Sequence, residues 1–120
     1  AFRLRHSEFR RSDFFSGVNL SANDISDINW FDEHAHTPDW AKQNHFIACR
    51  IDGIFYLMCN ASDTGIEARL PPPSKEKNWY RLADTALPFP EDFANENETL
   101  QPCSGVYRAS ARSMIILQAK

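Results

Sequence analysis

The sequence predicts an all-β fold, an antiparallel β-sandwich, and three observations carry that reading. From about residue 45 onward the apolar residues recur in short runs with a period of two. Gly, Pro, Asn and Asp punctuate those runs. Six or seven such runs separated by turn residues make two packed antiparallel sheets the default architecture.

Taken in order, residues 28–31 (INWF) form a short early strand. In residues 46–51, Ile47, Cys49 and Ile51 alternate with Ala48 and Arg50, whereas residues 54–59 are apolar on both faces. Asp52-Gly53 between these runs is the strongest local signal, because Asp-Gly suits a two-residue type I′ turn. That turn would pair Ile51 with Ile54, Cys49 with Tyr56 and Ile47 with Met58 on one buried face. Ile66, Ala68 and Leu70 alternate against Glu67 and Arg69 in a further strand. Pro71, Pro72 and Pro73 cannot continue a central strand and read as a stiff exposed connection. Residues 79–83, 106–109 and 113–119 supply three more strands. Residues 84–104, rich in Asp, Glu, Asn and Pro, form the longest stretch outside strands, and a loop of that length is draped over a neighbour or functional.

The first 40 residues are different. Phe2, Leu4 and Phe9 with Arg3, Arg5, Arg10 and Arg11 read as the tail of an amphipathic helix already in progress. Five of the nine phenylalanines (Phe2, Phe9, Phe14, Phe15, Phe31), together with Trp30 and Trp40, fall in this stretch, which has little strand pattern of its own. Large exposed apolar patches are rare on monomers, so the density implies a neighbouring domain or partner, and a chain cut from a larger one.

Composition narrows the function classes. The chain has 120 residues, a net charge of −3, 42% hydrophobic and 24% charged residues, the profile of a soluble globular domain. No stretch approaches the length of apolar chain that a membrane helix needs, so no membrane is expected as a partner. Lys and Arg are scattered among Asp and Glu, which leaves no basic footprint for nucleic acid. Cys49, Cys59 and Cys103 are an odd number without metal spacing and fit a reducing compartment. The Asn-x-Ser/Thr matches at Asn19, Asn60 and Asn97 read as chance occurrences in loops.

Three groups of residues invite chemistry. Asp32, Glu33, His34, His36, Asp39 and His45 offer metal ligands within 14 positions; their spacing matches no recognised site and the stretch ends in a turn, so a solvated loop is the favoured reading. Asp13, Asp24, Asp27, Asp32, Asp39 and Asp84 lie near aromatics, but no spacing specifies a glycosidase carboxylate pair. Cys49 and Cys59 read as buried in strands and Cys103 as part of a polar loop, without an activating histidine motif. Trp30, Trp40, Trp79 and Tyr80 are expected in core or interdomain packing before any sugar platform.

Beyond pattern, the chain carries in order "FRRSDFFSG" (residues 9–17), "DINWF" (27–31), "DW" (39–40), "IDG" (51–53), "FYLMCNAS" (55–62), "ARLPPP" (68–73), "NWYRLADTA" (78–86) and "RSMIILQAK" (112–120). This series resembles the C-terminal end of isoamylase-type debranching enzymes of the α-amylase superfamily. The resemblance implies a parent glycoside hydrolase whose barrel cleaves α-1,6 branch points of glycogen or starch with retention. Its catalytic carboxylates would lie upstream, with no catalytic residue, cofactor or metal in this part. It further implies that residues 1–25 are the end of the last barrel helix and its exit loop, and residues 26–120 the C-terminal β-sandwich domain. Phe9, Arg10, Arg11, Asp13, Phe14, Phe15, Trp30 and Trp40 would then pack at the seam between the two. The partners implied are a branched α-glucan held by the barrel, the barrel itself, and other isoamylase subunits in a homo- or hetero-oligomer. The alternative is a carbohydrate-binding or subunit-interaction module. "DTALPFPEDF" (84–93) is nearer plant isoamylases, which implies a plastid stroma, with the bacterial cytoplasm as the alternative.

Overall fold

The computed structural model describes residues 28–38, 45–73, 76–88, 91–93, 102–103 and 105–120. The helix tail and exit loop expected within residues 1–25 lie outside these described residues.

Within them, seven strands form in order: β1 (Ile28–Phe31), β2 (Phe46–Ile51), β3 (Phe55–Asn60), β4 (Ile66–Arg69), β5 (Trp79–Asp84), β6 (Val106–Ala109) and β7 (Ser113–Ala119). All pairings are antiparallel. A five-stranded sheet runs β1-β2-β3-β7-β5, and β4 and β6 make a two-stranded sheet. Ala68 and Leu70 from around β4 and Ala109 from β6 share one core with Phe46, Ala48, Tyr56, Met58, Trp79, Ile115, Leu117 and Ala119 of the large sheet. The expected sandwich is therefore a two-stranded layer packed on the inner face of a five-stranded one.

The β2–β3 hairpin corrects the expected register. Asp52 and Gly53 take φ of 51° and 69°, as a type I′ turn demands, and Ile54 N donates to Ile51 O at 3.0 Å. Yet Ile51 pairs with Phe55, Cys49 with Leu57 and Ala48 with Met58. Ile54 is thus a third loop residue, and its carbonyl accepts from Ala119 N of the neighbouring chain end at 2.8 Å. A one-residue slip reverses which side chains face the core. Phe46, Ala48, Tyr56 and Met58 are buried inside, while Ile47 and Cys49, expected there, lie half-buried on the opposite face.

Trp79 anchors the inner core, 2% exposed, with its ring 5.7 Å from that of Tyr56. Its indole Nε1 donates to Pro71 O at 2.8 Å. The proline run is accordingly less exposed than expected: Pro71 is buried because the bulky indole needs an acceptor. The long stretch after β5 also returns to the sheet, Ala83 bridging Phe93 and Trp79 bridging Cys103, with Cys103 N donating to Trp79 O at 2.7 Å. Cys103 packs against the core instead of lying in a polar loop.

Asn60 closes the sandwich at the end of β3. It is 1% exposed; its Nδ2 is shared among the carbonyls of Thr64, Ala109 and Ser110, and its Oδ1 accepts from Ser62 N and Oγ. This asparagine belongs to one of the three glycosylation-like triplets, and its amide is committed to holding the two sheets together. A second tie runs from β6 to β5, where Tyr107 Oη donates to the buried Asp84 Oδ2.

Candidate docking face

In a two-layer antiparallel sandwich each sheet normally shows a polar outer face to water. The five-stranded sheet does not. Because successive side chains alternate, the outer side of β2 carries Ile47, Cys49 and Ile51, that of β3 Phe55, Leu57 and Cys59, and that of β7 Met114 and Ile116. Trp30 joins them from β1, opposite Cys49.

Ile51, Phe55 and Leu82 form a second buried cluster there, with Cys49, Ile54, Leu57 and Ile116 half-buried around it. Trp30 and Met114 remain 45% and 48% exposed. Between them runs a groove of about 160 Å³ lined by Trp30, Ile47, Cys49, Leu57, Cys59 and Met114. At the β5 side, Gln118 Oε1 is buried without a hydrogen-bond partner among the described residues, an acceptor that a neighbouring donor would satisfy.

Burial pushes the Cys49 thiol up to about 11, so the thiolate needed for nucleophilic attack is scarce at neutral pH. Burial likewise raises Cys103, opposed by the nearby Arg81. Cys49, Cys59 and Cys103 are all free thiols. No group of three or more His, Cys, Asp or Glu able to hold a metal ion occurs among the described residues. His34 and His36 sit on a turn whose backbone N–H groups both donate to Asp32 Oδ1 at 2.9 Å, which spends that carboxylate on the turn itself. Asp84 is spent on Tyr107 and on Ala86 N.

Of the eight residues assigned to the seam, the structure places Trp30 on the outer face. Phe9, Arg10, Arg11, Asp13, Phe14, Phe15 and Trp40 lie outside the described residues. Sequence reasoning missed Leu57, Cys59, Met114 and Ile116 as members of this face. The signal was the presence of two strands, β3 and β7, that are apolar on both sides.

The chain is similar to a described family and to several known proteins. A family model described as Isoamylase 1-3, C-terminal, matches residues 29–119. The chain is 30% identical to an isoamylase of Flavobacterium sp over 100% of its own length and 18% of that protein. It is 33% identical to Isoamylase 3, chloroplastic, of Oryza sativa subsp. japonica over 98% of its length and 14% of that protein. It is 27% identical to Isoamylase 2, chloroplastic, of the same plant over 92% and 16%. The chain thus spans less than a fifth of the length of these relatives. Seven antiparallel strands among the described residues, a sheet apolar on both faces and a family match that takes in six of those strands whole and β1 from Asn29 onward lead to one assignment: this chain belongs to the isoamylase C-terminal domain family.

Proposed function

We propose that this chain is the C-terminal β domain of a debranching glycoside hydrolase that cleaves α-1,6-glucosidic branch points in starch or glycogen. In that role it supports the catalytic barrel and contributes no catalytic residue. The observation that carries the reading is the outer face of the five-stranded sheet, apolar across β1, β2, β3 and β7 and still exposed at Trp30 and Met114. A barrel seated on that face would remove it from water, at roughly 25 cal/mol per Å² of apolar surface covered. Residues 1–25 then serve as the end of the last barrel helix and its exit loop, residues 26–120 as the β domain. Phe9, Phe14, Phe15 and Trp40 fill the seam, with Arg10, Arg11 and Asp13 making charge-assisted hydrogen bonds there. Three relatives whose names place them in the chloroplast support a plastid stroma as its location; the similarity to a bacterial isoamylase keeps the bacterial cytoplasm as the alternative.

The test uses the full-length protein on a branched α-glucan. Trp30→Asp combined with Met114→Asp is expected to lower the melting temperature of the barrel together with that of the β domain, while the debranching rate per folded molecule holds. An unchanged barrel transition with lost affinity for glucan would instead establish the second reading, a carbohydrate-binding module. The exposed indole of Trp30 is the feature that favours that second reading.

A further inference from the structure

An open cleft of about 670 Å³ lies between the β1–β2 edge of the large sheet and the open end of the β4–β6 pair. Its size is that of a small-molecule site. Arg69 N donates to Glu33 O at 2.9 Å and Leu70 N to Gly105 O at 2.8 Å, so the walls are stitched together by backbone. The described lining residues include Arg50, Arg69, His34 and His36 and no carboxylate side chain, on a chain whose net charge is −3.

Among the described residues, the carboxylates flanking this turn, Asp32 and Glu33, are taken up by the turn itself. Asp32 Oδ1 accepts the N–H groups of His34 and His36 and holds the turn, with Ala35 in the left-handed region at φ 60°. Glu33 Oε1 lies 3.5 Å from His34 Nε2. Arg50 is half-buried, its guanidinium 5.3 Å above the Phe31 ring and its Nη2 3.3 Å from Asn29 Oδ1. Its Nε is buried with no hydrogen-bond partner among the described residues. A guanidinium partly withdrawn from water and facing no carboxylate among the described residues favours an anion beside it. A bare sugar ring fits less well, because Phe31, the aromatic of the cleft, already meets Arg50 and the ring of Tyr56, 5.8 Å away.

We propose that this cleft binds a phosphate monoester, whose oxygens engage Arg50 and Arg69 while the Leu70, Pro71, Pro72 and Val106 wall receives the group that carries it. The dianion suits a lining with cationic side chains and no acid among its described residues better than a single carboxylate does. Two sources share this chemistry: a soluble sugar phosphate, and a phosphate ester on a glucan chain. The second source rests on the debranching reading; the first does not.

Isothermal titration of the full-length protein at fixed ionic strength, with glucose 6-phosphate, glucose and a phosphorylated maltodextrin, tests the site. Saturable binding of glucose 6-phosphate without binding of glucose is the expected result. Arg69→Gln, at an exposed side chain, weakens it about tenfold, as the loss of a charge-assisted hydrogen bond should. Arg50→Lys keeps the charge, loses the planar fork and also weakens it. Arg108→Gln, at an arginine that is not part of the cleft lining, leaves it unchanged. Tighter binding of phosphorylated maltodextrin than of glucose 6-phosphate assigns the polymer as ligand, and the reverse order assigns the soluble ester. Equal binding of glucose and glucose 6-phosphate, no saturable binding of either phosphate, or full affinity in Arg69→Gln overturns the proposal. The titration reads binding alone, so it stays decisive even if the protein does not debranch glucan.

Discussion

Along β3, Tyr56 and Met58 point to one side of the five-stranded sheet, Leu57 and Cys59 to the other, and both pairs are apolar. On the inner side Tyr56 and Met58 meet Trp79, Ala109 and the β4–β6 layer and are fully buried. On the outer side Leu57 and Cys59 are half-buried and border a groove that ends at exposed Trp30 and Met114. The same residue chemistry thus stabilises the domain itself on one face and is available to stabilise an assembly on the other. Burial against a partner, and not hydrophobicity, distinguishes them.

The sharpest way to break that contrast is Trp79→Ala, which empties the inner core and orphans Pro71 O. It is expected to cost about 3–5 kcal/mol by chemical denaturation. In the full-length protein it should lower the melting temperature more than it changes turnover. Full stability with lost starch affinity would move Trp79 from core to ligand contact. Next, Asn60→Ala removes a donor from the carbonyls of Thr64, Ala109 and Ser110, of which Thr64 O keeps Ser62 Oγ and Ser110 O keeps Ser113 Oγ, and takes the acceptor from Ser62 N–H at the sheet junction. An expected loss of about 2–3 kcal/mol would appear in the same assay.

A smaller effect separates the faces by pH. The Cys49 thiol, with its value raised by burial from 9.0 to about 11, contributes stability that is fully present below pH 9 and is lost as pH rises to 11. Melting temperature should therefore fall more steeply across that window in the natural chain than in Cys49→Ala. Parallel slopes would mean that the outer face is wetter than its packing indicates. Smallest of all, Met114→Lys should shift the stability of this domain alone by no more than about 0.5 kcal/mol, as for exposed sites generally. A large loss would show that the outer face already belongs to the domain's own core.

The strands were legible because period-two alternation and turn residues are local signals, and Asp52-Gly53 announced a hairpin. Its register was not. A type I′ turn is compatible with either pairing, and what selects the longer loop is the bond from Ala119 N to Ile54 O, made by a residue 65 positions away. Pro71 read as exposed for the same reason: its acceptor role depends on Trp79, whose direction in space no local pattern reveals. The outer face was half legible. The double-sided apolarity of residues 54–59 is visible in the sequence, but assigning its two sides required knowing that β7 lies next to β3. The cleft was not legible at all, because it joins a turn after β1, the middle of β2 and the chain before β6.

β7 follows every other strand in the sequence yet sits between β3 and β5, and Lys120 and Asn78 exchange both backbone hydrogen bonds beside it. During synthesis, β1 to β3 can zip up as hairpins while β5, met by single bridges from Phe93 and Cys103, waits for its ladder partner until residues 113–119 leave the ribosome. A premature stop before Ser113 would therefore not trim an edge but remove the wedge that unites the sheet, leaving β1–β3 and β5 unjoined within one shortened chain for the proteolytic machinery.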